Sequence, residues 1–335
     1  MAPPLVTVDA SEPLDKINDI IARDGGVIVS NFLSPELLTE LMTAIEPFFL
    51  DRKIYNSKAT HGELGPDFFP YGSQRVYALL AKIPDQIVKI IRLPVWQGVM
   101  AHFLNDEFAS YTGETLVSQK SGYMLATSAA LRLVPGAKPQ PLHRDQLAYH
   151  TRPDPANPLF TPMLGCLIAG SKSTYKNGAT AVIPGSHLWG SDRMPNVEEC
   201  TYAEMEAGSA LFTLGSTYHG AGGNQCETTD PNALRTLFAV FGQRDYFRRN
   251  QDETASTPMD IVRTFSPDIL RLAGYGESVP CSAATTSASR TIMTVLVNIE
   301  KAVGGVGYVE DHQSPSEFLH RDDCGIVVGL QIARY

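Results

Sequence analysis

The feature that most constrains the fold lies downstream of residue 120, where short apolar or alternating runs follow one another, separated by Gly, Pro, Ser and Asn. Such runs carry the two-residue period and turn punctuation of antiparallel strands. They fall at residues 122–134, 163–169, 179–183, 208–214 and 234–242. So many strands in succession must form a double-layered or closed sheet to bury their inner faces.

Upstream the texture is helical. A strand-like run at residues 26–29 leads to Ser34-Pro35-Glu36, where Ser34 can cap a helix and Pro35 suits its first position, whose N–H needs no partner. Leu37, Leu38, Leu41, Ile45, Phe48 and Phe49 then recur at three- and four-residue steps, predicting a helix with one apolar stripe that covers a sheet. A second helical stretch is expected at residues 85–105, interrupted near Pro94. Helices first and strands afterwards predict a mainly β jelly roll of the cupin-like kind, with an α buttress over about residues 15–110 and a core over about 120–245. Function in such a fold sits inside the roll, where inward side chains converge.

The Pro-rich stretch 151–162 reads as a long loop. The tail from Ser278 carries the linker-like SAATTSASR and then β-like runs at 291–297 and 325–332, so residues 1–276 are expected to form one domain and 277–335 an extension of unassigned role. Composition narrows the partners. With 43% apolar and 19% charged residues the chain can bury a sizeable core, and 27 basic against 36 acidic residues, a net charge of −9 with no long run of either sign, exclude a nucleic-acid binder. No run of ~18 apolar residues and no signal-like start is seen, so the expected protein is cytoplasmic, with no membrane partner. The five cysteines are widely spaced without a CxxC pair and read as reduced thiols.

The chemistry is concentrated in Gln140-Pro141-Leu142-His143-Arg144-Asp145-Gln146 and, well downstream, Tyr218-His219-Gly220-Ala221-Gly222. On an extended segment residues i and i+2 share a face, so His143 and Asp145 can hold one metal, and His219 completes three ligands. Two neutral imidazoles and a carboxylate leave half of an octahedral Fe(II) sphere open, enough for a bidentate keto acid and O2. His-x-Asp alone is weak: His320-Arg321-Asp322 is a second match, but no histidine follows it and it reads as a decoy. Arg235 heads a β-like run beyond His219. A buried arginine needs an anion, either the distal carboxylate of 2-oxoglutarate or an internal Asp or Glu.

The blocks QPLHRDQ (140–146), NGATAVIPGSHLW (177–189), YHGAGGN (218–224) and ALRTLFAVFGQR (233–244), in this order across about residues 15–276, resemble the phytanoyl-CoA dioxygenase superfamily, and within it the fungal branch that oxidises secondary metabolites. The resemblance implies a double-stranded β-helix, iron on His143, Asp145 and His219, and 2-oxoglutarate anchored by Arg235 with hydrogen bonds from Thr180 and Gln140. Thr180 could equally pack its methyl group and Gln140 cap the Pro139–Pro141 turn, while His187 reads as structural. Two departures stand out: Ser171-Lys172-Ser173-Thr174-Tyr175-Lys176 where the family commonly carries acidic residues, and a longer connection at 225–233 that puts the register of Arg235 in question.

The expected protein is thus an Fe(II)- and 2-oxoglutarate-dependent dioxygenase that hydroxylates, desaturates or rearranges an apolar polycyclic small molecule such as a meroterpenoid or alkaloid. The mouth of its pocket is expected to draw on Phe69, Tyr71, Tyr149, Phe160 and Met163. Rival readings are a non-catalytic jelly-roll subunit that shapes a homologous partner in a homo- or heterodimer, and a zinc hydrolase, for which Arg235, Thr180 and Gln140 would lack purpose.

Overall fold

The computed structural model describes residues 3–50, 72–154, 156–249 and 253–275. All of them belong to the first of two compact units, residues 1–291; the second, 292–335, lies outside the described residues, as do Phe69, Tyr71, the His320–Asp322 pair and the β-like runs of the tail.

Strand β1 (Thr7–Asp9), helix α1 (Leu14–Asp24) and strand β2 (Gly26–Ser30) come first. Helix α2 (Pro35–Leu50) follows, started as its sequence requires: the Leu37 N–H donates to Ser34 Oγ at 3.2 Å, and Leu41, Ile45 and Phe49 are buried. After β3 (Ser73–Tyr77) and the short α3 (Leu79–Lys82) come α4 (Pro84–Ile91) and α5 (Pro94–Leu104), each opened by a proline in its first turn. The hairpin β4 (Asp106–Thr112) and β5 (Thr115–Ser121) precedes the long β6 (Tyr123–Leu133). The remaining strands are β7 (Met163–Ala169), β8 (Thr180–Val182), β9 (Thr201–Ala203), β10 (Ala210–Leu214), β11 (His219–Ala221) and β12 (Arg235–Arg244), and α6 (Glu253–Ser256), α7 (Met259–Val262) and α8 (Pro267–Leu272) end the described chain.

Seven strands form the major sheet in the order β1-β2-β10-β7-β12-β6-β3, and three form a minor sheet, β11-β8-β9. The N-terminal, helical half thus supplies β1, β2 and β3 to the major sheet; the strand-like run at 26–29 is β2, while β1 and β3 carry no such signal. Side chains from both sheets meet in one apolar layer: Ile28, Ala129, Leu167, Leu211, Leu237 and Ala239 from the major sheet against Val182 and Ala203 from the minor one. That layer is the sandwich of a jelly roll. Helices cover the other face of the major sheet; Trp96 of α5 is fully buried there, and its indole N–H donates to the Val240 carbonyl at 2.9 Å. Stretch 151–162 carries no helix or strand at its described residues, as its prolines require. No single helix among the described residues is long and apolar enough to cross a membrane.

Candidate metal centre

The site forms where the segment after β6 crosses β11. His143 and His219 face each other as a β-bridge, the His143 N–H donating to the His219 carbonyl at 2.9 Å and the His219 N–H returning the bond at 3.0 Å. Upstream, the Gln140 N–H donates to the Ala221 carbonyl at 2.8 Å. Such close approach explains Gly220: a Cβ there would lie 2.9 Å from the Gln140 carbonyl oxygen and 3.1 Å from that of Pro141. In one respect the local backbone differs from an extended His-x-Asp segment. Arg144 is extended, at φ −116° and ψ 125°, but Asp145 already opens a 3₁₀ turn, Asp145–Tyr149, pinned by the Gln146 N–H on the Gly215 carbonyl at 3.0 Å.

The two imidazoles and the carboxylate converge. His143 Nε2 lies 3.4 Å and His219 Nε2 3.5 Å from the two Asp145 oxygens, and all ligand atoms fall within 4.8 Å of one another. Each ring is oriented by the main chain: His143 Nδ1 lies 2.8 Å from the Pro141 carbonyl and His219 Nδ1 3.1 Å from that of Thr217. A carbonyl only accepts, so Nδ1–H is the donor in both, and both Nε2 lone pairs are left facing Asp145. Burial pushes the His219 imidazole down, with Asp145 opposing and His143 adding to the shift, so the ring stays neutral more readily than an ordinary histidine. Burial pushes Asp145 up, but the His219 imidazole and the contacts of His143 outweigh it and hold the carboxyl below its ordinary range. Neutral imidazole nitrogens with an ionised carboxylate are the donor state that a divalent cation needs.

Arg235 enters β12 in register with Leu133 of β6. The longer connection before it is closed by its own bonds: Asn224 Nδ2 donates to the Ala233 carbonyl at 2.7 Å, and Lys176 pairs with Asp230 at 2.9 Å. The guanidinium is buried, Nη2 donating to Thr180 Oγ1 at 2.8 Å and Nε to Ser173 Oγ at 3.2 Å. Among the described residues no carboxylate pairs with it, and burial pushes its pKa down to about 9. Among the described residues, therefore, the internal salt bridge that the sequence left open is not formed. Thr180 lies opposite Ala221 in the minor sheet, while Val182 faces His219, so the Arg235 contact and one of the three candidate metal donors are joined by one strand, β8.

Gln140 Oε1 accepts the Ala221 N–H at 3.2 Å, and the residue lines a groove with Ala181 and Tyr202, on the face of the minor sheet opposite Thr180. Tyr149 closes the 3₁₀ turn and donates its hydroxyl to Gln243 Oε1 at 3.0 Å; burial, with the charge of Asp145 adding, pushes its phenol up. Phe160 lies under the Arg244 guanidinium, 4.5 Å from its ring centre. Met163 is buried at the start of β7, close to Gly215. His187 is structural, its Nε2–H on the Ala22 carbonyl at 3.0 Å. Ser173 and Gln243 escape sequence reasoning: Ser173 stands in the stretch 171–176 that reads only as a departure from the family, Gln243 lies within the 233–244 block without a role of its own there, and only the pairing of distant segments gives them one.

The sequence profile of the phytanoyl-CoA dioxygenase family matches residues 21–229. Among characterised proteins the chain is similar to dioxygenase swnH1 of Metarhizium robertsii, 30% identical over 274 residues (81% of this chain, 85% of that one), and to dioxygenase peniF of Penicillium patulum, 28% identical over 272 residues (80% and 84%). Among solved structures it shares the fold of the non-heme alpha ketoglutarate dependent carbocyclase SnoK from nogalamycin biosynthesis, with a TM-score of 0.51, 17% identity, and coverage of 79% of this chain and 95% of that one. With the family profile spanning most of the jelly roll and a His-Asp-His triad at its centre, the chain belongs to the phytanoyl-CoA dioxygenase family and is a non-haem iron(II)- and 2-oxoglutarate-dependent dioxygenase.

Proposed function

We propose that the chain oxidises a C–H bond of a largely apolar, polycyclic secondary metabolite, with iron(II) on His143, Asp145 and His219 and 2-oxoglutarate seated on Arg235. The observation that carries this reading is the buried guanidinium of Arg235, which lacks an internal counter-anion among the described residues and sits one short strand from three convergent metal donors. A charge held in that state calls for an external carboxylate, and its planar fork suits one. Thr180 and Ser173 hold the fork in place. The donor set fits iron(II): two imidazole nitrogens and one carboxylate suit a non-haem site with open positions. Bound iron(II), with 2-oxoglutarate and O2, would supply the oxidant for the substrate C–H bond, 2-oxoglutarate leaving as succinate and carbon dioxide.

The protein's own part is to hold and to exclude water. The carbonyls of Pro141 and Thr217 fix both rings, and Arg235 with Thr180 sets the direction from which the cosubstrate approaches. From the 3₁₀ turn, Tyr149, Phe247 and Tyr246 form a ring-to-ring series with centroids 5.9 and 5.1 Å apart, and Tyr246 is exposed, as are Leu147 within the turn and Leu159 in the loop after it. An exposed apolar rim next to a polar centre suits a greasy polycycle such as a meroterpenoid or alkaloid. The intact triad gives no support to a non-catalytic subunit.

Anaerobic addition of Fe(II) and 2-oxoglutarate tests the assignment through the weak visible charge-transfer band of a chelated keto acid. His219→Ala should lose the band and Arg235→Ala should need more 2-oxoglutarate to develop it; an unchanged band and affinity in both variants would refute the roles. Succinate release should be stimulated by apolar polycyclic compounds, and stimulation by acyl-CoA thioesters alone would overturn the substrate class.

A further inference from the structure

Arg144 stands between two of the ligands, yet the chemistry assigned to the site makes no use of it. Because its backbone is extended, its side chain leaves on the face opposite His143. The guanidinium is buried and, among the described residues, meets no carboxylate. Instead Nη2 donates to the carbonyls of Ser186 at 2.8 Å and Trp189 at 2.9 Å, and Nη1 reaches that of Gly190 at 3.4 Å. Its Cζ lies 4.1 Å over the ring of Tyr218, the residue before His219.

The turn that receives these bonds is itself tied down on two sides. The Tyr218 N–H donates to Ser186 Oγ at 2.8 Å, and the Ile183 N–H to the Tyr218 carbonyl at 3.0 Å. From the other side the Gly185 N–H donates to the Asp24 carbonyl at 2.8 Å, at the end of α1. Arg144 therefore closes a loop of contacts from the His143–Asp145 segment through the 186–190 turn to Tyr218 and His219. The direct His143–His219 bridge fixes the separation of the two strands but not the rotation of the backbone that aims Asp145. A planar fork spread over several carbonyls and stacked on a ring resists that rotation; an ammonium on a flexible stem keeps the charge without the fork.

We propose that Arg144 is the positioning residue of the metal centre, its guanidinium clamping the segment that carries His143 and Asp145 to the segment that carries His219. The inference rests on the reading of these three residues as metal ligands. Groups hydrogen-bonded directly to metal ligands are worth about 10–100-fold in metal affinity, and Arg144, which fixes the backbone between two of the ligands rather than a ligand side chain, is assigned an effect on that scale.

The test is titration of the metal-free full-length protein with Co(II) alone, read by its visible d–d absorption, together with thermal melting before metal is added. The parent should bind one Co(II), and His219→Ala should abolish binding. Arg144→Lys and Arg144→Gln, folded by circular dichroism, should bind Co(II) about 10–100-fold more weakly, with an altered band shape. Should Arg144→Gln fail to fold, Arg144→Lys carries the comparison, since it keeps stem and charge and loses only the fork. A folded Arg144→Lys that binds within twofold of the parent, even with a lowered melting point, would show a merely structural arginine and overturn the proposal. A parent that binds no Co(II), or a His219→Ala that binds equally well, would remove the ligand assignment and this inference with it.

Discussion

At the scale of single residues, the centre depends on keeping His219 neutral. Burial is the largest influence and lowers its pKa, so the unfolded chain, with a histidine near 6.5, takes up the proton first. Between the lowered folded value and about 6.5 the unfolded state binds more protons, and stability therefore rises with pH across that window. Asp145, held below its ordinary carboxyl range, adds a second loss at lower pH. Metal-free protein should melt at progressively lower temperature as pH falls below about 6.5; a bound divalent cation, which excludes the proton from the same lone pair in the folded state alone, should raise the melting temperature at high pH and make the decline below about 6.5 steeper. Melting curves from pH 8 to 4.5 with and without Co(II) measure this; two superimposable profiles would show that His219 is not the titrating ligand. Legibility in the sequence follows the same logic. The convergence of His143, Asp145 and His219 and the burial of Arg235 agree with the sequence expectation, which rested on the few residue types that do such chemistry. Ser173 could not be read, because a serine hydroxyl steers a guanidinium only after β12 and the 171–177 turn have been brought together.

Among the elements, those with strong internal periodicity or caps were readable. Helix α2 carries its cap and stripe in one stretch, and β7 matches its apolar run from Met163 to Ala169. Helix α1 begins at Pro13 without a side-chain cap, and β11 is only three residues long, held by β8 and by the bridge to His143 rather than by its own preference. The β4–β5 hairpin exposes most of both faces, so it lacks the alternation that marks a half-buried strand. Because β11 owes its place to close backbone approach, Gly220 is its sensitive point. A methyl group there meets carbonyl oxygens, which unlike a side-chain tip cannot swing away. Gly220→Ala should push residues 140–143 from β11 and weaken Co(II) binding about tenfold or more, a loss comparable to that of an outer ligand contact. The same titration reads it out, and unaltered affinity would mean that the two segments are free to separate without disturbing the ligands.

Across the described molecule, the metal centre and the apolar core are distinct sources of order. Ile28, Ala129, Leu167 and Leu237 pack between the sheets, with Val182 joining that layer to His219 across the β8–β11 pair, and the His143–His219 bridge forms through main-chain atoms alone. Jelly-roll architecture was legible in the sequence because this core imposes the strand texture, whereas the strand order, in which β2 from the helical half inserts beside β10, depends on contacts between residues far apart in the chain. Such a body should remain folded when chelated, with its ligands adding stability by mass action. Cosubstrate at about 100 times its dissociation constant adds about 2.7 kcal/mol. For a domain of this size that corresponds to a rise in melting temperature of about 5 °C. Arg235→Met should lose this rise. It should not melt below the parent in the ligand-free state, since the substitution removes a buried cation with no carboxylate partner among the described residues. Scanning calorimetry of both proteins, chelated and then loaded with Co(II) and 2-oxoglutarate, separates the contributions. A chelated parent that shows no cooperative transition would make the metal part of the fold, and an undiminished cosubstrate shift in Arg235→Met would place the keto acid elsewhere.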